Sequence, residues 1–335
     1  MIPLNSNTLH IALIVLANVV SVVGVIMCNK VLYRPPFDLH FPSLLMTFHF
    51  FCTWCFVVAA KSFGWFNEKR IDSYQYIMLG FAQCCSVVFV NLSLMYNSVG
   101  IYQVLKFSNV LVICCVEFLW KKKTYSLGVY VSLVLLVVGI TASTVSQVDM
   151  TMIGLIVGCV GSLSTAWYQV LNKAIQTDYD VRPLQILQFE QPYTALFSAL
   201  FSPATDKLSE LPSYTLTGDC AVLLLLSGVC AFGVNVTCYL IIGKTSPITY
   251  AVVGHSKTVM VLLFGFVVMQ ETVTLRGALG LVVAFCAIVG YTHYSQQPTT
   301  NTLPTTSLLH NVTALSKVEL PLSQVVVEVN EEKHK

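Results

Sequence analysis

Charge is what this sequence has least of. Among its 335 residues, Lys and Arg number 18 and Asp and Glu 16, so charged residues form 10% of the chain and hydrophobic ones 56%. An ordinary soluble domain carries roughly 25% charged residues, so this chain lacks the means to cover a water-facing surface. The formal net charge of +2 says nothing of an acidic partner, and no nucleic-acid partner is expected. No Lys or Arg precedes Lys30, which excludes the basic n-region of a signal peptide. About eight residues precede the first apolar stretch, too few for a transit peptide, so insertion into the endomembrane system during synthesis is expected. No nucleophile–base or ligand set stands out, and the chain is not expected to be an enzyme.

Twelve cysteines are present, but in no arrangement that organises chemistry. Cys52 and Cys55 form a C-x-x-C on an apolar segment with no second ligand pair, and nearly all the others also fall in apolar segments. They read as small hydrophobes, and no disulfide, metal or cofactor is expected.

What the sequence does have is long apolar runs. A spanning helix needs roughly 20 mostly apolar residues, and about ten such stretches occur, at 9–32, 42–60, 75–97, 99–120, 125–146, 151–173, 184–203, 217–242, 247–269 and 274–294. The fold class is therefore an all-α membrane protein of ten transmembrane helices. With both termini cytosolic, the cytosolic loops hold Lys61, Lys69, Arg70, Lys121, Lys122, Lys123, Arg182 and Lys244, against Arg34, Lys207 and Arg276 opposite. That bias obeys the positive-inside rule. From about 296 the sequence loses its aromatics and long apolar runs and reads as a disordered cytosolic tail.

The chain also repeats itself. "SVGIYQVLKFSN" from Ser98 resembles "SPITYAVVGHSK" from Ser246, and "VNLS" at 90–93 resembles "VNVT" at 234–237. "TYSL" at 124–127 pairs with "TVTL" at 272–275, and "NK" at 29–30 with "NK" at 172–173. The organisation is then residues 1–8 as a short cytosolic N-terminus, 9–146 and 151–295 as two five-helix repeats, and 296–335 as the tail. Five spans per half give the halves opposite polarity, a 5+5 inverted repeat of the kind that binds substrate between its halves near the midplane.

Two lysines interrupt apolar spans at repeat-related places. Lys106 lies in the fourth and Lys257 in the ninth, where Lys257 matches Asn109. Three residues of helix separate the two levels by about 4.5 Å. A lysine at the bilayer centre costs about 2.5–3.5 kcal/mol on insertion scales, so a matched pair implies an aqueous cavity and a compensating anion. An ammonium with three donors suits a phosphate oxygen. The competing reading is an internal ion pair with Glu117 or Glu190.

Further candidates for the pocket are Asn91, Tyr102, Gln103, Asn235, Tyr250 and Thr258, with Gln188, Glu190 and Gln191 from the polar run "QILQFEQPY". Each alone is more often a packing or interhelical hydrogen-bond residue. Lys30 and Lys173 sit near span ends, where snorkelling competes with cavity lining. His255 points away from Lys257 and suits a helix contact. The sequons at Asn91, Asn235 and Asn311 fall within spans or in the cytosolic tail and are expected to stay unmodified.

The motifs "NK" at 29–30, "NLSL" at 91–94, "YQVLK" at 102–106, "TSPITYAVVGHSKTV" at 245–259 and "YTHY" at 291–294 resemble the triose-phosphate/nucleotide-sugar transporter family of the drug/metabolite transporter superfamily. The likeness extends over about 9–297, with similarity to E3-type members of solute carrier family 35 and to plant UDP-sugar transporters. The resemblance implies a ten-helix antiporter of the Golgi membrane (alternatively the endoplasmic reticulum). It would bring a UDP-sugar to the lumen in exchange for UMP, with a homodimer as one further expectation. The family's phosphate-binding lysines fall on Lys106 and Lys257. Plastid triose-phosphate relatives place an Arg after the ninth-span Lys, and Thr258 here departs from that. The alternatives are a sugar-phosphate/phosphate exchanger of the same fold and a non-transporting membrane scaffold.

Overall fold

The computed structural model describes residues 6–97, 99–144, 151–267 and 275–295. The tail, its sequon at Asn311 and the side chain of Lys257 lie outside the described residues. In chain order the α-helices are α1 Ser6–Leu32, α2 Pro42–Ser62, α3 Ser73–Tyr96, α4 Val99–Lys121, α5 Leu127–Thr144, α6 Met152–Asp178, α7 Pro183–Thr205, α8 Gly218–Lys244, α9 Pro247–Val267 and α10 Leu275–Ser295. A short 3₁₀ turn, Leu208–Ser213, joins α7 to α8.

Seven of these helices (α1, α2, α3, α4, α6, α8 and α10) are long and apolar enough to cross a membrane. The protein is an all-α, multi-pass membrane protein. Lipid offers no partner for backbone N–H and C=O groups, so helices that bond internally are the form an apolar chain of this kind can take. Each of the ten apolar stretches coincides with one helix, with ends displaced by a few residues.

Helix starts follow local chemistry. α2, α7 and α9 open on Pro42, Pro183 and Pro247, where the missing N–H would have had no helical partner. The Thr151 hydroxyl accepts from the Gly154 N–H at 3.0 Å and the Thr217 hydroxyl from the Cys220 N–H at 3.3 Å, capping α6 and α8. α2 has no side-chain cap of its own, since Phe41 precedes it. Its cap is borrowed from the end of α7, where the Asp206 carboxylate accepts from the N–H groups of Ser43 at 3.0 Å and Leu44 at 2.8 Å. A carboxylate at a helix N-terminus meets both the free donors and the positive end of the helix dipole.

That contact belongs to one end of the bundle, together with the bond from Asn97 Nδ2 to the Gly154 carbonyl at 2.8 Å and from the Tyr214 hydroxyl to the Phe37 carbonyl at 2.8 Å. The opposite end is basic. There Lys121 pairs with Asp178 at 2.8 Å, Lys69 approaches Asp180 at 3.7 Å, and Lys61 and Arg70 share Glu68. The closest helix pairs are α5 with α10, α3 with α6, α1 with α8, and α2 with α7. The buried core includes a cluster around Phe107, Leu133 and Val259, another around Leu79, Leu187 and Tyr239, and a smaller one around Leu32, Phe41 and Leu45.

Candidate functional site

α6 determines much of the site, because Ser162, Thr165 and Gln169 recur at helical spacing along one face. That face lines a cavity of about 420 Å³ whose remaining walls come from α1 (Val22), α3 (Ser86, Val87, Val90, Asn91), α4 (Lys106, Asn109) and α9 (Tyr250, Ala251, Gly254, His255). The volume lies in the range of small-molecule sites.

Among the described residues that line this cavity, Lys106 is the cation. Its Nζ stands 5.9 Å from the centre of the Tyr102 ring, a distance at which the aromatic face still attracts a cation. Among the described residues it forms no ion pair. The two carboxylates that the competing reading pairs with it are engaged elsewhere. Glu117 accepts from Lys123 at 3.3 Å and from the Tyr125 hydroxyl. Glu190 is fully buried and accepts from Gln191 Nε2 at 2.6 Å and from the Thr194 hydroxyl.

Beside the charge, the same cavity is lined by the amides of Asn109, one turn further along α4, and Gln169 on α6. Asn109 Oδ1 and Gln169 Oε1 are buried and have no donor among the described residues. Buried amide oxygens left unpaired cost about 1–3 kcal/mol each, a cost that a ligand's hydroxyl or N–H would remove. Ser162 and Thr165 are already committed, to the Leu105 carbonyl at 3.2 Å and the Ser86 hydroxyl at 2.7 Å. His255 packs edge-on against Phe107 with ring centres 5.4 Å apart, joining α9 to α4. A cationic group and unpaired amides lining one small-molecule cavity can together hold a ligand that carries both a phosphate and hydroxyl or N–H donors.

The candidates read from sequence are distributed as follows. Lys106, Asn91, Tyr250 and His255 line the cavity. Tyr102 flanks Lys106, while Gln103 and Thr258 are half-buried on α4 and α9 without lining it. Asn235 donates to the Thr53 hydroxyl at 3.0 Å and accepts from Gln83 Nε2 at 3.4 Å. Glu190 and Gln191 belong to the same buried network, through Gln191 Nε2 to Gln83 Oε1 at 3.3 Å. Gln188 faces a different groove, on the outside of the bundle. Lys30 is exposed in the last turn of α1, and Lys173 donates to the Gly243 carbonyl of α8 at 2.6 Å.

Asn109 and Gln169 were not among the candidates taken from the sequence. The 3–4 spacing of Ser162, Thr165 and Gln169 was the available signal for α6.

Residues 9–295 match the Triose-phosphate Transporter family. The UDP-xylose transporter 2 of Arabidopsis thaliana is 31% identical over 292 residues, covering 85% of this chain and 82% of that protein. The UDP-rhamnose/UDP-galactose transporter 3 of Arabidopsis thaliana is 31% identical over 278 residues, 82% of this chain and 79% of that protein. A solved crystal structure, 14% identical, superposes with a TM-score of 0.64 over 86% of this chain and 96% of its own, a likeness of fold alone. The named relatives are transporters rather than enzymes, in keeping with a non-catalytic role. With a matching family span over nearly all of its helical region, the chain belongs to the Triose-phosphate Transporter family.

Proposed function

We propose that this protein is a nucleotide-sugar antiporter that carries a UDP-sugar from the cytosol into the Golgi or endoplasmic reticulum lumen and returns UMP. The observation that carries the reading is Lys106. It faces a small-molecule cavity and has no carboxylate partner among the described residues, while Glu117 and Glu190 are both engaged elsewhere. A phosphate supplies the missing anion. Asn109 and Gln169 then accept from the sugar or base, and Lys257 contributes the second cation from α9. The names of the plant relatives favour a UDP-sugar.

All ten helices are read as spans, arranged as a 5+5 inverted repeat with both termini cytosolic. The packing supports this. Advancing each helix by five converts α3 against α6 into α8 against α1, and α2 against α8 into α7 against α3, and all four pairs are packed. The register supports it too. Pro42 and Pro183 open α2 and α7, and the same step relates His49 to Glu190 and Thr53 to Thr194. The step that relates Asn91 to Asn235 relates Gln83 to Ser227. Between the halves, α2 bonds Ser227 of α8 and α7 bonds the related Gln83 of α3, from positions one helical turn apart: His49 Nε2 with the Ser227 hydroxyl at 2.8 Å, and the Thr194 hydroxyl with Gln83 Oε1 at 3.4 Å.

Exchange follows from the charge. An empty carrier would have to reorient with its lysines uncompensated in a low-dielectric bundle, which is costly, whereas either loaded form is neutralised. The test is counterflow in proteoliposomes preloaded with UMP, GMP, CMP or AMP against a panel of nucleotide sugars. UMP-dependent uptake of a UDP-sugar is expected. Uptake driven by inorganic phosphate instead would establish the sugar-phosphate exchanger, and no exchange with any pair would leave the scaffold.

A further inference from the structure

α2 and α3 both pack on α7, but among the described residues they do not pack appreciably on each other. The result is a groove of about 460 Å³ with α7 as its floor, near the basic end of the bundle. It opens on a surface where Val58, Ile77 and Phe81 are exposed, which in a multi-pass membrane protein is the surface that meets acyl chains. Its walls are largely apolar and aromatic, from Trp54, Val58, Pro192 and Tyr193. At its mouth the Arg70 guanidinium lies over the Phe189 ring, 5.3 Å from the centre.

Two features of the groove suit a polar ligand. The first is charge. Arg70 is the one charged residue among the described residues that line the groove, and the Glu68 carboxylate that it meets is shared with Lys61. The second is Gln188, which is only 9% exposed and lines the groove, and whose Oε1 has no donor among the described residues. Pro192, four residues further along α7, also has no N–H to give the Gln188 carbonyl its helical bond. The floor therefore holds unpaired hydrogen-bond acceptors near the Arg70 guanidinium, beneath an apolar wall.

We propose that this groove binds one anionic glycerophospholipid whose head group carries hydroxyl donors. The phosphodiester meets Arg70, a head-group hydroxyl donates to Gln188, and one acyl chain lies along Trp54, Val58 and Tyr193. Each part of the groove has a matching part of the lipid. A choline head group offers neither the net negative charge nor a donor and fits less well.

The test is native mass spectrometry of the full chain, purified in detergent and offered phosphatidylinositol or phosphatidylcholine, beside Arg70→Gln and Val58→Trp. The wild type should retain one phosphatidylinositol and prefer it over phosphatidylcholine by about fivefold or more, the worth of roughly one basic side chain against an anionic lipid. Arg70→Gln, an exposed loop change, should abolish the preference. Val58→Trp should fill the groove and expel the lipid. Equal retention of the two lipids, an unchanged preference in Arg70→Gln, or retained lipid in Val58→Trp would each overturn the proposal. So would loss of a dimer in Val58→Trp with lipid retention unaltered, since the groove would then be a contact between two copies.

Discussion

Gly139 of α5 and Gly280 of α10 meet so closely that a Cβ on Gly280 would stand 2.6 Å from the Gly139 carbonyl oxygen, and one on Gly139 would stand 2.6 Å from the Ala284 backbone nitrogen. Both obstructions are backbone, so no side chain can turn aside. Lipid removes the hydrophobic drive between helices, leaving close van der Waals approach and interhelical hydrogen bonds to hold them. Here the approach also brings the Ser143 hydroxyl to the Gly277 carbonyl at 3.0 Å.

Gly280→Val is accordingly expected to force α5 and α10 apart. Overpacking of this kind costs about 1–3 kcal/mol, and a lowered unfolding temperature of the purified protein checks it. Gly218→Ala is the control, because nothing lies within 4 Å of a Cβ there, and its melting should match the wild type.

Gln169→Leu leaves the fold in place but removes an acceptor from the cavity. Gln169 Oε1 has no donor among the described residues, so the change also removes an unpaired group, and stability should hold or rise. The apparent KM for the nucleotide sugar should increase by roughly tenfold, the worth of one ordinary hydrogen bond of about 1–1.5 kcal/mol. Concentration-dependent uptake, measured beside a thermal melt, separates the two effects.

Glu68 provides a pH test outside the helices. Hydrogen bonds from Lys61, then from Arg70, hold its carboxyl down at about 2, below its ordinary 4.5. A depressed carboxyl pKa stabilises the folded state above the ordinary value and loses that contribution as pH falls through the depressed one. Glu68→Gln should therefore lower the melting temperature slightly at neutral pH. The difference from wild type should shrink below about pH 4.5 and vanish near pH 2. High salt should shrink it as well, since the group lies at the surface.

The helices were legible because apolar runs of spanning length are unambiguous, and the Pro residues at 42, 183 and 247 mark three starts. Lys106 was legible because a charge in such a run demands a reason. The run at 185–193 was harder to read, since its polarity showed that it avoids lipid but not what it faces. Three neighbours there diverge. Gln188 lines the outer groove, Glu190 is sealed against Thr194, and Gln191 reaches Gln83. A step of 100° per residue sends adjacent side chains to different neighbours, and only helix packing decides which. Asn109 and Gln169 were missed for a related reason. A lone amide in an apolar helix looks like a packing residue until five helices are seen to converge on it.

Lys106→Met tests the account at its centre. Lys106 is exposed within the cavity, and losing a hydrogen bond to a charged group costs about 1.5–3 kcal/mol, so affinity for the phosphate-bearing substrate should fall by roughly tenfold or more. Insertion and thermal stability should be kept or improved, because no carboxylate partner among the described residues is stranded. The measurement is counterflow of a UDP-sugar into UMP-loaded proteoliposomes carrying the variant. Loss of exchange by a well-folded protein is the predicted result, and exchange at the wild-type rate would contradict it.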